Sequence, residues 1–368
     1  MTTLQHFNDP LHCWVNGEFS GNHEKYTDLA CWVSNTYVQP IDDPIPRETP
    51  HDQKINYYQW IPLFIVMQAV FFYLPHLLWG LLYPRGGLDI NDVVTAAKGL
   101  GHFEKGSKAD KKKSFEFIVE QMHDFLTYYR PRSKTFCKTK CTPWGLGKRH
   151  GNFLIFLYIF IKVLYLLNAV LQLFVQNWFL ESDFSEYGIS LMRSWIHGTE
   201  NPSEHIFPLT TLCNFEIRKF GDKVHPYTVQ CVLPINFYNE KIYAIMWFWL
   251  VITIAFNACS LLKWLTYMIK PSLHFAFVHK YLRYGAGSPD NNNKDSPRYR
   301  AGSLDNNNKD SKEELRTFVH DYLRNDGVLT LRLMQENVNS LLTSEVVQEI
   351  HKRYENYRPS STSSETFV

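Results

Sequence analysis

Three stretches of the chain are nearly free of charged residues, and each is long enough to cross a lipid bilayer as a single helix. Between Lys54 and Arg85, the run YYQWIPLFIVMQAVFFYLPHLLWGLLY (Tyr57 to Tyr83) carries no charged side chain. It predicts a tilted transmembrane helix, with Tyr57, Tyr58 and Trp60 at one end and Trp79 and Tyr83 at the other as an aromatic belt. Pro75 deletes a helical hydrogen bond and predicts a kink covered by neighbouring helices. The second run, NFLIFLYIFIKVLYLLNAVLQLFVQNWFL (Asn152 to Leu180), holds one charge, Lys162. Asn168, Gln172 and Gln176 recur every four residues and share one helix face. That face looks either into a helix bundle, with Lys162 snorkelling and the amides bonded to neighbouring helices, or onto an aqueous lumen. The third run, IYAIMWFWLVITIAFNACSLL (Ile242 to Leu262), is free of charge between Lys241 and Lys263. Runs of this length that end in aromatics or lysine exclude the reading as buried helices of a large soluble protein.

Charge is distributed unevenly around these runs. Lys and Arg number 3 in residues 1–56, 14 in 84–151, 4 in 181–240 and 14 in 269–368. An excess of basic residues marks cytoplasmic loops, so the second and fourth segments are expected inside and the first and third outside. Four of the 7 cysteines lie in the segments expected outside, where thiols oxidise: Cys13, Cys31, Cys213 and Cys231. Four cysteines allow three pairings, and the spacing chooses none of them. Cys137 and Cys141 (CKTKC) lack the further ligands of a zinc site and read as free thiols, and Cys259 reads as a small packing residue.

Aromatics make up 15% of the chain and concentrate in the apolar runs, which points to lipid contact. The net charge of +2 gives no basic patch that would bind nucleic acid. No G-x-S-x-G, H-E-x-x-H or P-loop occurs, so neither an enzyme nor a cofactor is expected. His76, near the inner end of the first run, reads as a packing residue or a pH-sensitive gating group.

In the first basic segment, Lys111, Lys112 and Lys113 read as a solvated turn that could also touch anionic lipid. Phe115, Ile118, Met122, Phe125 and Leu126 then trace one apolar helix face. Nearer the C-terminus, AGSPDNNNKDS (286–296) recurs as AGSLDNNNKDS (301–311), a composition that cannot bury a core and predicts a disordered linker. Helical periodicity resumes after it, with a break expected at Gly327. The chain ends in Glu365-Thr366-Phe367-Val368, where Thr366 and Val368 form a candidate PDZ ligand behind a flexible SSTSS lead.

These readings divide the chain into an outward segment 1–56, a span 57–83, a cytoplasmic loop 84–151, a span 152–180 and a second outward segment 181–240. A span 241–268, a cytoplasmic helix 269–284, a linker 285–315, a cytoplasmic helical segment 316–357 and a flexible tail 358–368 follow.

Several motifs together resemble the innexins, the invertebrate gap-junction subunits. They are Tyr57-Tyr58-Gln59-Trp60 with Pro62, Gln68, Tyr73, Pro75 and Trp79; Cys213 to Arg218 (CNFEIR); Tyr227 to Asn236 (YTVQCVLPIN); Asn239-Glu240-Lys241; and Trp247-Phe248-Trp249. The similarity covers most of residues 8–270 and returns at 318–350. It implies an all-α polytopic membrane protein, an innexin-like helix bundle with disulfide-tied extracellular loops and a cytoplasmic helical domain. It further implies a homo- or hetero-oligomeric ring of subunits in the plasma membrane, docked through those loops to a ring on the adjacent cell. Ions and small metabolites would pass by diffusion. Carried onto this sequence, the family's disulfide pattern joins Cys13 to Cys231 and Cys31 to Cys213.

In the family an amino-terminal helix and a first span precede the Asp-Pro-x-x-Cys-Trp motif. Here seven residues precede Asn8, and residues 1–56 hold no comparable apolar run, so three of four spans are expected, from an incomplete gene prediction or a truncated product. Two alternatives to the channel follow: a non-conducting subunit that modulates full-length innexins or serves as an adhesion or scaffold protein, and a pannexin-like non-junctional channel. The outward segments lack a usable N-x-S/T glycosylation site, because Asn201 precedes Pro202, and this tilts toward docking.

Overall fold

A computed structural model describes residues 10–39, 54–102, 108–128, 152–198, 203–218, 221, 223–286 and 309–357. The chain begins with β1 (His12–Trp14), α1 (Gly21–Ser34), β2 (Thr36–Tyr37) and β3 (Lys54–Ile55). The long helix α2 (Tyr57–Leu82) follows, then α3 (Ile90–His102), α4 (Lys108–Tyr128) and a second long helix, α5 (Phe153–Leu180). Helix α6 (Phe184–His197) and the single turn α7 (Ser203–Ile206) lead to a hairpin of β4 (Thr210–Arg218) and β5 (Val224–Val232). The third long helix is α8 (Pro234–Ile269), after which come α9 (Pro271–Ala286), α10 (Lys309–Thr317), α11 (Arg324–Asn337) and α12 (Ser340–Tyr357).

Among the described residues, three helices are long and apolar enough to cross a membrane: α2, α5 and α8. At 1.5 Å per residue they measure about 39, 42 and 54 Å, against roughly 30 Å of hydrocarbon. Much of their apolar surface is exposed, including Leu63, Val66 and Val70 of α2, Phe160, Leu167 and Phe174 of α5, and Trp249 and Phe256 of α8. Water would not tolerate so much contiguous apolar surface. α2 runs unbroken through Pro75. α8 starts seven residues before the span expected from hydropathy, with Pro234 at its first helical position, where a missing N–H costs nothing.

The chain divides into two compact units, residues 1–74 with 165–258 and residues 75–164 with 259–368. The first contains a five-stranded antiparallel sheet in the order β1-β5-β4-β2-β3. β4 and β5 pair along their full nine-residue lengths, from Thr210 opposite Val232 to Arg218 opposite Val224. Gly221, in the turn between them, has φ +112°, a conformation open to glycine. Alternation places Thr211, Cys213 and Phe215 inward, on a core shared with Leu11, Tyr58, Phe184, Leu233 and Tyr243.

The second unit packs α9 to α12 with α3 and α4. Ile118, Met122 and Phe125 of α4 are buried, as are Val278 and Leu282 of α9 and Val346 and Ile350 of α12. Lys112 and Lys113 are exposed within α4 instead of in a turn, and Lys112 lies 3.8 Å from Glu116 one helical turn on. Gly327 does not break the helix. A Cβ there would lie 3.1 Å from Leu126 Cδ2, so glycine permits a close helix approach, and the irregularity falls earlier, in a π-helical segment at Phe318–Leu323. The duplicated stretch expected as a linker over 285–315 is helical up to Ala286 and again from Lys309, because Leu315 buries its side chain in this core. Residues 287–308, including most of the duplication, lie outside the described residues.

Polar groups in this unit are paired closely. Arg332 sits between the rings of Tyr267 and Phe277, at 3.9 and 4.4 Å from their centroids, and donates to Leu273 O at 2.9 Å. Lys263 Nζ lies 2.6 Å from Glu336 Oε1. Asp326 caps α5 from another helix, accepting a hydrogen bond from Ile155 N at 3.0 Å. Burial raises its pKa to about 6, against the opposing pull of backbone N–H groups at Phe153 to Ile155 and of Arg324.

A carboxyl whose pKa is raised on folding binds its proton more tightly in the folded state, so ionising it costs stability. Against an unfolded value of 3.8, the cost above pH 6 is about 3 kcal/mol, and it fades as pH falls from 6 toward 4. His123, His274 and His351, whose pKa values burial lowers, pull the other way, losing stability as pH falls through their range. Comparison with Asp326→Asn isolates the carboxyl: the difference in thermal midpoint between the two proteins should change between pH 7 and pH 4, and a pH-independent difference would contradict this account.

Candidate functional site

The sheet joins two parts of the chain that are remote in sequence, and two disulfides hold the join. Cys13 on β1 faces Cys231 on β5 in register and is bonded to it across 218 residues of chain. Cys31 on α1 is bonded to Cys213 on β4 across 182 residues. In β1 the side chains of His12 and Trp14 are exposed and Cys13 is buried, as strand alternation requires. In α1, Thr27 and Cys31 are four residues apart and both buried on the face toward the sheet. Asp28 on the same helix accepts a hydrogen bond from Cys13 N at 2.8 Å, linking α1 to β1 beside the bridge. The sulfurs of Cys13, Cys31 and Cys231 lie within 4.8 Å of one another, so the two bridges are neighbours in the core. With each thiol bonded, the cluster is a covalent clasp and not a set of metal ligands.

The clasp is anchored to the starts of two long helices. Tyr57 OH donates to Ile206 O at 2.6 Å and accepts from Asn236 Nδ2 at 3.3 Å. Asn236 also donates to Pro208 O at 2.9 Å, and Asn239 donates to Asn236 Oδ1 at 3.2 Å. Tyr58 is buried with its ring 4.8 Å from that of Trp32. Gln59 Nε2 donates to Trp32 O and to Asn35 Oδ1, tying α2 to the end of α1, where Asn35 turns the chain at φ +69°. Trp60 points outward and is exposed. Pro75 is buried in the second unit, apart from this network.

On the sheet, Tyr37 OH donates to Asn214 Oδ1 at 3.0 Å, and desolvation raises its pKa. On α6, the hydroxyls of Tyr187 and Ser203 are 3.0 Å apart, and burial likewise raises the Tyr187 phenol. Gly188 lies directly against the indole of Trp247, whose Nε1 donates to Ser185 O at 3.2 Å.

The polar face of α5 divides. Gln172 and Gln176 are buried, and Gln176 Nε2 lies 3.5 Å from Gln68 Oε1 of α2. Asn168, half-buried, lies 3.5 Å from Gln172. Lys162 lies in the second unit, its Nζ 5.5 Å from the centre of the Tyr158 ring. His76 is exposed on α2. Cys137, Cys141, Thr366 and Val368 lie outside the described residues.

Asp28 and Gly188 lie outside the motifs read from the sequence, whereas Asn214 and Asn236 fall within two of them, CNFEIR and YTVQCVLPIN, which do not reveal their hydrogen-bonding roles. Part of the hairpin carries a periodic signal, since Cys213, Phe215 and Ile217 alternate with Asn214, Glu216 and Arg218 at period two. The hydrogen-bonded asparagines carried none, because their partners are distant in sequence.

The innexin family profile matches residues 1–354 of this chain. Innexin unc-9 of Caenorhabditis elegans is 32% identical over 360 residues, covering 96% of this chain and 86% of the relative. Innexin-3 of the same organism is 32% identical over 358 residues, covering 95% and 77% respectively. Innexin-11 is 29% identical over 354 residues, covering 94% and 72%.

The contact at Gly188 supplies a test of the packing that supports the clasp. A Cβ there would lie 2.1 Å from Trp247 Cε3, so Gly188→Ala must displace the indole, at a cost of about 1–3 kcal/mol. Gly17 has open space around it, and Gly17→Ala is the control. Thermal unfolding in detergent should show a lower midpoint for Gly188→Ala alone; equal midpoints would contradict the packing described.

Proposed function

This chain belongs to the innexin family and is a subunit of a gap-junction channel at the plasma membrane, and we propose that its disulfide-tied sheet is the end that faces outward and docks. The observation that carries this reading is the double clasp: Cys13 to Cys231 and Cys31 to Cys213 fix both outward segments into one sheet. A docking surface held rigid in advance loses less conformational entropy when it meets its partner. The charge distribution supports the same orientation, with 14 basic residues in each of segments 84–151 and 269–368 and 3 and 4 in the two segments that carry the bridged cysteines. Trp14, Leu29 and Val33 are exposed apolar groups beside the clasp, available to neighbouring subunits or to the opposing ring.

In this reading the subunits, identical or mixed, form a ring that conducts ions and small metabolites by diffusion. The buried amides Gln68 and Gln176 join α2 to α5 as an interhelical contact, and Gln172 is buried on the same face of α5. Thr366 and Val368 offer a C-terminal strand to a PDZ scaffold.

Paired-cell recording tests the proposal. Expressed alone or with a second innexin, the chain should alter junctional current, and an absence of effect in both arrangements would sink the channel reading. Cys31→Ser should remove that effect while surface-labelled protein persists. Normal coupling by the Cys31→Ser subunit would show that docking does not depend on the clasp.

A further inference from the structure

Helix α6 has three faces, more than a helix at a simple protein surface needs. Phe184, Tyr187, Leu191 and Ser194 are buried against the first unit. Glu186, Arg193 and His197 form an exposed polar face. Between these lies a third face, apolar and exposed: Ile189 at 49%, Met192, and Ile196 at 78%, with Trp195 at 67% on its border. Residues 189, 192 and 196 follow the i, i+3, i+7 spacing of one stripe.

The position of α6 identifies what covers that stripe. Past Lys162, α5 carries no charge up to its end at Leu180, and the chain turns at once through Glu181, at φ +49°, into α6. Along α8 the last charge is Lys241, and no other occurs until Lys263. Ser185 of α6 accepts the hydrogen bond from Trp247, while Trp195, ten residues further on, stacks on Phe248 with ring centres 6.3 Å apart. Ten residues of α6, about 15 Å, thus meet two consecutive residues of α8, so α6 crosses α8 instead of climbing along it. Phe248 lies seven residues past Lys241, about 10 Å into the apolar run. That is the depth at which an interfacial helix sits. Trp178 of α5 and Trp249 of α8 are also exposed, as an aromatic belt at that level would be.

We propose that α6 lies in the plane of the membrane interface, with Ile189, Met192, Trp195 and Ile196 inserted among lipid chains and Glu186, Arg193 and His197 in water. The partner is the bilayer itself, because Trp195 at the border of the stripe stacks on Phe248 of α8, a residue whose neighbours on that helix, Ile245, Trp249 and Ile252, are themselves exposed and apolar. This inference rests on the reading of α5 and α8 as membrane spans. It adds a lateral anchor that would hold the docking sheet at a fixed height above the membrane.

Spin labelling of the full chain in phosphatidylcholine vesicles tests it, in a background with Cys137, Cys141 and Cys259 changed to Ser. Nitroxides on Ile189→Cys, Met192→Cys and Ile196→Cys should collide with oxygen several-fold more than with an aqueous nickel chelate. Labels on Glu186→Cys, Arg193→Cys and His197→Cys should show the reverse. Preference for the nickel chelate at 189, 192 and 196 would overturn the proposal in favour of a water-exposed face. Exclusion of both reagents there, with spin–spin broadening, would overturn it in favour of contact with a second copy of the chain. Labels at Leu167, Phe174 and Phe256 separate the two readings: if none of them reports lipid, the spans themselves have been misassigned, whereas lipid there but not at Ile196 removes the interfacial helix alone.

Discussion

The first unit depends on a covalent constraint, the pair of neighbouring disulfides that bind β1 and α1 to β5 and β4. The segments they join are separated by about two hundred residues that include two long apolar helices. In an unlinked chain, closing such long loops carries a large entropic cost, and each bridge removes part of it, typically about 2–4 kcal/mol of stabilisation. The strand contacts beyond the hairpin are too short to hold the join alone: β1 spans three residues, and β2 and β3 two each. The clasp therefore supplies what the outer strands lack.

From the clasp the constraint passes to the long helices. The Tyr57, Asn236 and Asn239 hydrogen bonds fix the starts of α2 and α8 against the same short segment, Ile206 to Pro208. Gln59 fixes α2 to the end of α1. Buried polar groups of this kind are costly when unpaired, so each bond also specifies a register. In the second unit, the contacts are of a different chemistry. Arg332 and Glu336, one turn apart on α11, meet Tyr267 and Lys263, one turn apart on α8, while Asp326 of α11 caps α5. The first unit thus includes disulfides and hydrogen-bonded amides and hydroxyls, with the Asp28 carboxylate beside the bridge, and the second includes charged groups set against aromatic rings and a helix terminus. Disulfides persist in an oxidising exterior, in keeping with the orientation proposed for the chain.

Hydropathy alone located the three long helices, because a helix crossing a bilayer must be apolar over its whole length and that requirement is local in sequence. It also marked the amphipathic face of α4, where Ile118, Met122 and Phe125 are buried. The family was legible from motifs such as YYQW and CNFEIR, since their residues are contiguous in the chain. Tertiary structure decided the rest. Within the sheet, β4 shows a period of two over part of its length, whereas β1, β2 and β3 are too short to show one, and only pairing with distant strands makes them strands at all. Gly327 looked like a helix break because glycine disfavours helices, yet proximity to Leu126 gives it another use. Which of four cysteines met which was beyond residue spacing, because eighteen residues separate both pairs and the sulfurs come together only when two remote segments fold into one sheet. Where the chain is apolar is a local property written in the order of its residues, whereas which polar groups face one another depends on contacts across nearly two hundred residues and exists only in the folded chain.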